Sequence, residues 1–550
     1  MRRTVGVVLG AVTTVAALGV GAVAEASPER TAALRFVASF DSGAGEAGAE
    51  IVAFDRRTKT MLVTNGAATR IDIVSIADPA APTLLRSVDL LPYGPDVQSV
   101  AAHGGMGVAV VSGATVLDPG SAVFFSIESG RVLGTAPTGV LPDSVTWSED
   151  GRRVVIANEG EPRCVTGPDR QPTTDPLLAE NPEGSITVID VGGRGAAMRA
   201  RQIDFKAFNG QQDQLQAAGI RVGTWPGASV AQDLEPEYAT IVGDKAYVTL
   251  QENNALAIVD LRKGAVKDLV ALGAKDHGIA GNELDASDRD GAYRPSTWPV
   301  QGLYLPDTIA SMSARGRTYL LTANEGDTRT YFAGLDNEEV EGNECFADEG
   351  RVRSLPGGLD PAAFGGADAV TSLRDNANLG RLKVSTVFPS VSGAAGYREL
   401  YAFGGRSFSI WDDSGRLVWD SGSLLEATVA LVDPGNWVDN GVGPAPWATD
   451  FYDTRSDDKC PEPEAVAVGR ERGRTYAFVG LERAGGVMMF DVTDPGRPEY
   501  LQWLTNAGDI SPEGFRFVPS SEAPGGRALL LAAHEISGTT SVMELDTDRR

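Results

Sequence analysis

This 550-residue sequence predicts an all-β fold, a single β-propeller of seven or eight four-stranded blades with long loop insertions. Three observations predict it. Short runs rich in Val, Ile, Ala, Tyr and Phe alternate with Gly, Pro, Asp and Asn, as strands alternate with turns. The runs come in phrases that open on an acid. The opening acids keep a period: Glu50, Asp96 and Asp143 stand 46 and 47 residues apart, and Glu464 and Glu513 stand 49 apart. A period of about 40–50 residues made of strands is the sequence sign of propeller blades.

Eight phrases follow one another. "EIVAFDRRTKTMLVTNGAATRIDIVSIADP" opens at Glu50, and a second opens at Asp96. "DSVTWSEDGRRVVIANEGEPR" opens at Asp143 and reaches its third strand late, at "GSITVIDV". Others open at Glu235, Asp307, Glu462 and Pro512, and "RELYAFGGRSFSIWDDSGRLVWDSG" lacks the opening acid. The early segment "LRFVASF", 34–40, is expected to supply the last strand of the final blade. Closing the ring in this way removes the exposed edge strands. The propeller then spans 34–546, with insertions near 161–184, 206–233 and 327–380. The second insertion contains "QQDQLQAAG", which reads as a short helix. Long loops on a rigid scaffold commonly carry function.

Composition narrows the partners. Lys and Arg number 48 against 74 Asp and Glu, a formal charge of −26. Phosphate backbones need clustered cations, so no nucleic-acid partner is expected. Such acidity suits solubility outside the cell, or hard cations such as Ca²⁺ that take oxygen ligands. At the N-terminus Arg2 and Arg3 precede an apolar run from Val5 to Ala24, and Ala24-Glu25-Ala26 offers a cleavage site. Residues 1–26 read as a secretory signal peptide. No second apolar run of that length occurs, so the mature chain is expected to be secreted, monomeric and without a transmembrane segment. Cys164, Cys345 and Cys460 allow at most one internal pair. The histidines are His103, His277 and His534, too few and too scattered for a His-based metal site or triad. No nucleophile elbow, phosphate loop or His-Glu-x-x-His motif appears, and no catalytic residue is singled out.

Repetition gives the acids their meaning. The inner strands of all blades line one channel, so equivalent positions converge on one axis. Asp143, Glu235 with Glu237, Asp307, Glu462 with Glu464, and Glu513 open their phrases, most of them beside proline. Proline fixes φ and pins the loop before the inner strand. Asn158-Glu159, Glu252-Asn253, Asn324-Glu325, Glu482 and His534-Glu535 end the second strands. If both sets face one mouth, their charges crowd and must be protonated, paired or bridged by cations. The expected metal ligands, for Ca²⁺, are therefore Glu159, Glu235, Glu237, Glu252, Asp307, Glu325, Glu462, Glu464, Glu482, Glu513 and Glu535. Repeated acids in a propeller also serve as acceptors for backbone N–H groups of the next blade. Two corners carry the full Asn-Glu-Gly-acid-x-Arg pattern, and ligand contact is expected there: Asn158, Glu159 and Arg163, and Asn324, Glu325, Asp327 and Arg329. "DASDRDG", 285–291, departs from an EF-hand loop because Arg289 takes a ligand position, and reads as an acidic turn. "RSDDKCPEPE", 455–464, reads as either a metal-facing loop or a solvated charge run.

Taken together, "VVIANEGEPR", "VAQDLEPEYATI", "ASDRDGAYRPSTWPVQGLYLPDTIA", "YLLTANEGDTRTY", "ELYAFGGRSFSIWD", "RSDDKCPEPEAVAVG", "RTYAFVGLERAGGVMMFDVTDP" and "HEISGTTSVMEL" resemble the bacterial choice-of-anchor I domain proteins. That family is related to the mesenchyme-specific cell-surface glycoproteins of animal biomineralisation and is akin to phytase-like or esterase-like propellers. The resemblance covers about residues 35–546. It implies an exported or surface propeller whose C-terminal anchor varies; here the chain stops after its last strand. Cys460 departs from a glycine usual in the motif, and Cys345 lies in an acidic insertion; the resemblance implies a Cys345–Cys460 disulfide, with Cys164 as the competing partner. Two functions are implied. One is a calcium-binding surface or matrix protein that takes a small-molecule, phosphate-bearing or extracellular-matrix ligand at its acidic mouth. The other is a calcium-dependent phosphoric ester hydrolase of phytase or alkaline-phosphatase type, with Arg163 or Arg329 gripping phosphate. Fold alone does not choose between them.

Overall fold

The computed structural model describes residues 32–192, 198–335, 343–389, 392–432 and 455–547; the expected signal peptide, 1–26, lies outside the described residues. Among the described residues seven four-stranded antiparallel sheets form the blades of a propeller. The first strands of the blades are Val52–Asp55, Val97–His103, Pro142–Trp147, Pro236–Val242, Ile309–Ala314, Pro463–Glu471 and Pro512–Val518. Each touches the first strand of the next blade, and the seventh returns to the first. They therefore line a central channel. The middle strands are buried on both faces, as in Thr60–Asn65, whereas outermost strands such as Thr83–Asp89 are mostly exposed, with Val88 buried. Apolar clusters fill the spaces between neighbouring blades, for example Val155, Val188, Leu250 and Val259 between the third and fourth.

Ring closure uses the early strand as expected. Ala33–Asp41 pairs antiparallel with Thr539–Asp546, so the seventh blade is built from both ends of the described chain. Eight phrases make seven blades because two phrases are halves of one blade. Arg317–Asn324 pairs directly with Ser407–Asp412, with Leu321 opposite Ile410. The phrase from Asp307 thus supplies two inner strands and the phrase without an opening acid supplies the outer two.

The chain between those halves, together with the segment that precedes the fifth blade, builds more structure beside the propeller. A five-stranded sheet joins Ala274–Asp276, Gln301–Leu303, Tyr401–Ala402, Lys383–Ser385 and Glu349–Arg351. It has its own apolar core, with Leu284, Val300, Val352, Leu355 and Val384. The "QQDQLQAAG" segment forms a helix, Gln212–Ala218, ended by Gly219 in the left-handed conformation.

The disulfide corrects an expectation: Cys164 pairs with Cys345, and Cys460 lies outside the bridge as a buried thiol. The topology explains the choice. Cys164 forms an isolated bridge with Ala333, beside Thr330–Phe332, and that strand pairs with Glu344–Ala347. Both sulfurs then share a pocket with Trp225 and Tyr331. Cys460 instead sits in the entry to the sixth blade, near Glu462 and Arg406.

Candidate functional site

Strand register brings the two sets of acids to one mouth of the channel. Pro142 lies opposite Asn158, Pro236 opposite Leu250, Pro463 opposite Leu481 and Pro512 opposite His534. In all four blades a bulge follows the proline, and the opening acid stands in the bulge. A bulge re-aims side chains out of the ladder, here toward the axis. Each of the seven blades carries one acid in this bulge or within two residues before its first strand: Glu50, Asp96, Asp143, Glu237, Asp307, Glu464 and Glu513. Hydroxyls of the preceding blade hold some of these acids by their own carbonyls. Ser144 donates to Glu237 O at 2.5 Å, Thr249 to Asp307 O at 2.8 Å, and Thr308 to Glu464 O.

Tyr238 follows Glu237 and packs against the apolar clusters of blades one and two and of blades four and five. Its hydroxyl therefore sits across the channel. Burial raises its pKa well above the usual range, and Asp143, Asp307, Glu513 and Glu464, from four different blades, add to the rise. Nothing in the repeat marks this tyrosine in the sequence.

The acids divide into sectors with different charge balance. In one, oxygens of Asp143, Glu159 and Glu237 lie within 4.8 Å of one another, and in another the same holds for Glu325, Glu462 and Glu482. The second sector has cations beside its acids, although burial still raises Glu482 to about 8. Arg455 lies 2.5 Å from Glu462, Arg483 lies 3.3 Å from Glu462 and 2.9 Å from Glu482, and Lys459 lies 3.0 Å from Glu325 and from Asp327. Burial pushes the Glu462 carboxyl up, but Arg455, Lys459 and Arg483 outweigh it and hold it below the ordinary value.

Among the described residues the first sector has no such ion pair. Burial raises Asp143 to about 7. Glu159 and Glu237 are raised well above the usual range by burial and then by neighbouring acids, Asp143 and Glu252 among them. Asp143 Oδ2 and Glu252 Oε2 are buried without a hydrogen-bond partner, and Glu252 is 7% exposed. Like charges this close require protons or a cation. Three carboxylates offering oxygens at this spacing are a donor set suited to a hard cation. In the seventh and first blades Glu513, Glu50 and Glu535 adjoin one another, and burial followed by Glu535 and Asp96 raises Glu50 to about 8.

The two duplicated corners are not equivalent. Asn158 and Asn324 are fully buried inside their blades. Asn158 accepts from Gly139 N and donates to Ser185 O and Thr187 Oγ1, while Asn324 donates to Ser407 and Ser409 Oγ. Their amides tie second strand to third strand, away from ligand reach. Arg329 is also fully buried and lies 3.3 Å from both Asp233 and Glu235; Tyr331 donates to Glu235 at 2.5 Å. Glu235 is thus held by the fifth-blade corner while it also lines the cavity beside Glu159 and Glu237. Arg163 faces a cavity of about 380 Å³ that Glu159, Glu237, Glu252 and Asp327 also line. Glu349 and Lys383 of the additional sheet form another part of its wall. The "RSDDKC" loop is tied to the additional sheet, with Asp457 bonded to Arg351 and Asp458 2.9 Å from Lys383. In "DASDRDG", Asp288 pairs with Arg381 at 2.8 Å, and Asp285 accepts from the backbone of Arg294. Sequence reasoning missed the cations that neutralise the second sector, Lys459 and Arg455, because they precede the repeated position and occur in one blade only. Among the described residues no helix is long and apolar enough to cross a membrane.

Comparisons with known proteins add a family. The chain is similar to the mesenchyme-specific cell surface glycoprotein of Strongylocentrotus purpuratus, 30% identical over 346 residues, 56% of this chain and 42% of that protein. It is similar to Gigasin-3a of Magallana gigas, 27% identical over 197 residues, 32% of this chain and 68% of the relative. The aligned segment thus spans less than half of the sea-urchin glycoprotein. Among solved structures, the Kuenenia stuttgartiensis hydrazine synthase aligns over 92% of this chain and 97% of its own at 11% identity and a TM-score of 0.44. The β-propeller domain of Myceliophteria thermophila Cps50 (Swd1) aligns over 93% and 99% at 9% identity and a TM-score of 0.42. The model of the choice-of-anchor I domain matches residues 50–495, five blades and the inner three strands of the sixth with their acidic corners, and the chain belongs to the choice-of-anchor I domain family.

Proposed function

We propose that this protein is an exported, calcium-binding propeller that presents its acidic mouth to an extracellular ligand. One observation carries the reading: of two carboxylate triads at the same mouth, Glu325/Glu462/Glu482 is balanced by lysine and arginine, while Asp143/Glu159/Glu237 is surrounded by further acids. Folding has supplied cations where they are structural and left one sector for a cation from solution. Carboxylate-only donors favour Ca²⁺ over softer metals. The name of the sea-urchin relative, a cell surface glycoprotein, supports the extracellular setting. Calorimetric titration of the chelator-treated protein with Ca²⁺ tests the reading. Binding lost in Glu159→Gln and kept in Glu482→Gln supports it; no binding to the wild type, or loss in both variants alike with the fold intact, overturns it.

The hydrolase alternative would use the same cation to offset substrate charge and activate water. The cavity alongside the triad is what favours it, since it leaves room for a substrate next to the ion. Release of p-nitrophenol from its phosphate ester with Ca²⁺, abolished by chelator and by Glu159→Gln, would replace the binding reading with the catalytic one.

A further inference from the structure

The arginines that close the duplicated corners differ in what satisfies them. Arg329 spends both terminal nitrogens on its own fold: Nη1 bonds Thr224 and Nη2 donates to Asp233 O at 2.6 Å, while Nε lies 3.3 Å from Glu235 without a hydrogen bond among the described residues. Arg163 is 3% exposed, and its Nη1 lies 3.0 Å from Glu161 Oε2. Among the described residues, Nη1 makes no well-aligned hydrogen bond beyond that ion pair, and Nε makes none. A buried cationic N–H left without an acceptor is costly, and such groups are rare unless something absent from the bare protein completes them. The guanidinium is held from one side by Phe332, whose ring centroid lies 5.9 Å away. The hydroxyl-bearing Thr328 and Thr330 line the same cavity, as do Glu159 and Glu237 of the cation triad.

We infer that Arg163 forms an oxyanion subsite beside the cation, so that a ligand bearing a phosphate, sulfate or carboxylate group bridges the ion on Asp143, Glu159 and Glu237 and the guanidinium of Arg163. The inference rests on the calcium reading of the triad and adds the chemical class of the ligand. A planar guanidinium presents parallel N–H donors that match two oxygens of an oxyanion. Without the cation, the surrounding carboxylates repel the same group. Anion binding at this mouth is therefore calcium-dependent, and the ion and the arginine each hold one side of the ligand group. The duplicated corner has two uses: in the fifth blade its arginine clamps the acids of the fourth, and in the third blade it is left to meet a ligand.

Calorimetry with methyl phosphate, methyl sulfate and acetate tests this, in saturating Ca²⁺ and in chelator. The expected result is binding of at least one of these to the Ca²⁺-loaded wild type, and at least about tenfold weaker binding to Arg163→Gln. Calcium affinity should change little in that variant. Which probe binds best separates phosphate and sulfate ligands from carboxylate ones. If Arg163→Gln does not fold, Arg163→Lys keeps the charge and loses the fork, and should weaken oxyanion binding by about threefold or more. Equal affinity in wild type and a folded Arg163 variant, or no oxyanion binding by the Ca²⁺-loaded wild type, overturns the subsite and leaves the calcium site standing. Absence of calcium binding, together with Arg163-dependent oxyanion binding in chelator, overturns the bridge and the calcium reading and keeps the anion site.

Discussion

Asp143 at the start of one inner strand and Glu159 at the end of the next strand bring carboxylate oxygens within 4.8 Å of each other, although 16 residues of chain separate them. The pairing of Pro142 with Asn158 puts them there, and Glu237 of the next blade completes the group.

Calcium should stabilise the protein in proportion to occupancy. A ligand that binds only the folded state adds about 2.7 kcal/mol at a hundred times its dissociation constant. Thermal unfolding in Ca²⁺ should therefore occur at a higher temperature than in chelator, and Asp143→Asn and Glu159→Gln should remove most of that difference. The same substitutions should raise the stability of the chelated protein, because each deletes a charge that burial and neighbours make costly.

Glu462→Gln should behave in the opposite way. Glu462 is fully buried between Arg455 and Arg483. Removing one member of a buried ion pair leaves the other uncompensated, at a cost of about 3–5 kcal/mol. Denaturant unfolding should show this loss, while calcium affinity measured on the folded protein stays near the wild-type value.

Without calcium, stability should fall as pH rises. Glu50 is raised to about 8 in the folded protein, against an ordinary value of 4.5. An acid with a raised folded pKa binds more protons when folded than when unfolded. The stability tied to its neutral form is present in full below the ordinary value and is lost as pH climbs through about 8. In chelator, the melting temperature at pH 5.5 should exceed that at pH 8.5 by more in the wild type than in Glu50→Gln. A variant as pH-sensitive as the wild type would show that Glu50 does not carry the effect.

The disulfide should appear as a count of thiols. Alkylation under denaturing, non-reducing conditions should modify Cys460, and after reduction Cys164 and Cys345 as well. Replacing both bridge cysteines by alanine should cost about 2–5 kcal/mol, because the link spans 181 residues of sequence.

The propeller was legible in the sequence because a blade is a local unit, and its strands recur with a fixed period. The pairing of Arg317–Asn324 with Ser407–Asp412 was not legible, since a long excursion divides that blade and each half reads as two strands. The convergence of acids was legible for the same reason as the blades: a repeated position becomes a ring. Which acids already have cations beside them was not, because Lys459 and Arg455 act across a loop that follows no period, and Arg329, although in a repeated motif, reaches acids of another blade. The asparagines of the two corners show the limit most clearly. Asn158 and Asn324 look like ligand groups in a repeated motif, yet repetition there reflects a hydrogen-bonding need that both blades share.

Arg329→Gln and Arg163→Gln should therefore separate, although the same motif contains both arginines. Arg329 is fully buried, and its loss leaves Asp233 and Glu235 facing each other without their cation. Tyr331, bonded to Glu235, would lose its alignment too. A buried charge cluster broken in this way costs about 3–5 kcal/mol. Among the described residues Arg163 has the Glu161 ion pair and the Phe332 ring to lose, and its N–H groups without hydrogen bonds would no longer need a partner. Chemical denaturation should thus find Arg329→Gln strongly destabilised and Arg163→Gln within about 1 kcal/mol of the wild type, in the range of changes that remove a weak charge pair. Equal destabilisation of the two would mean that both corners serve the scaffold alone.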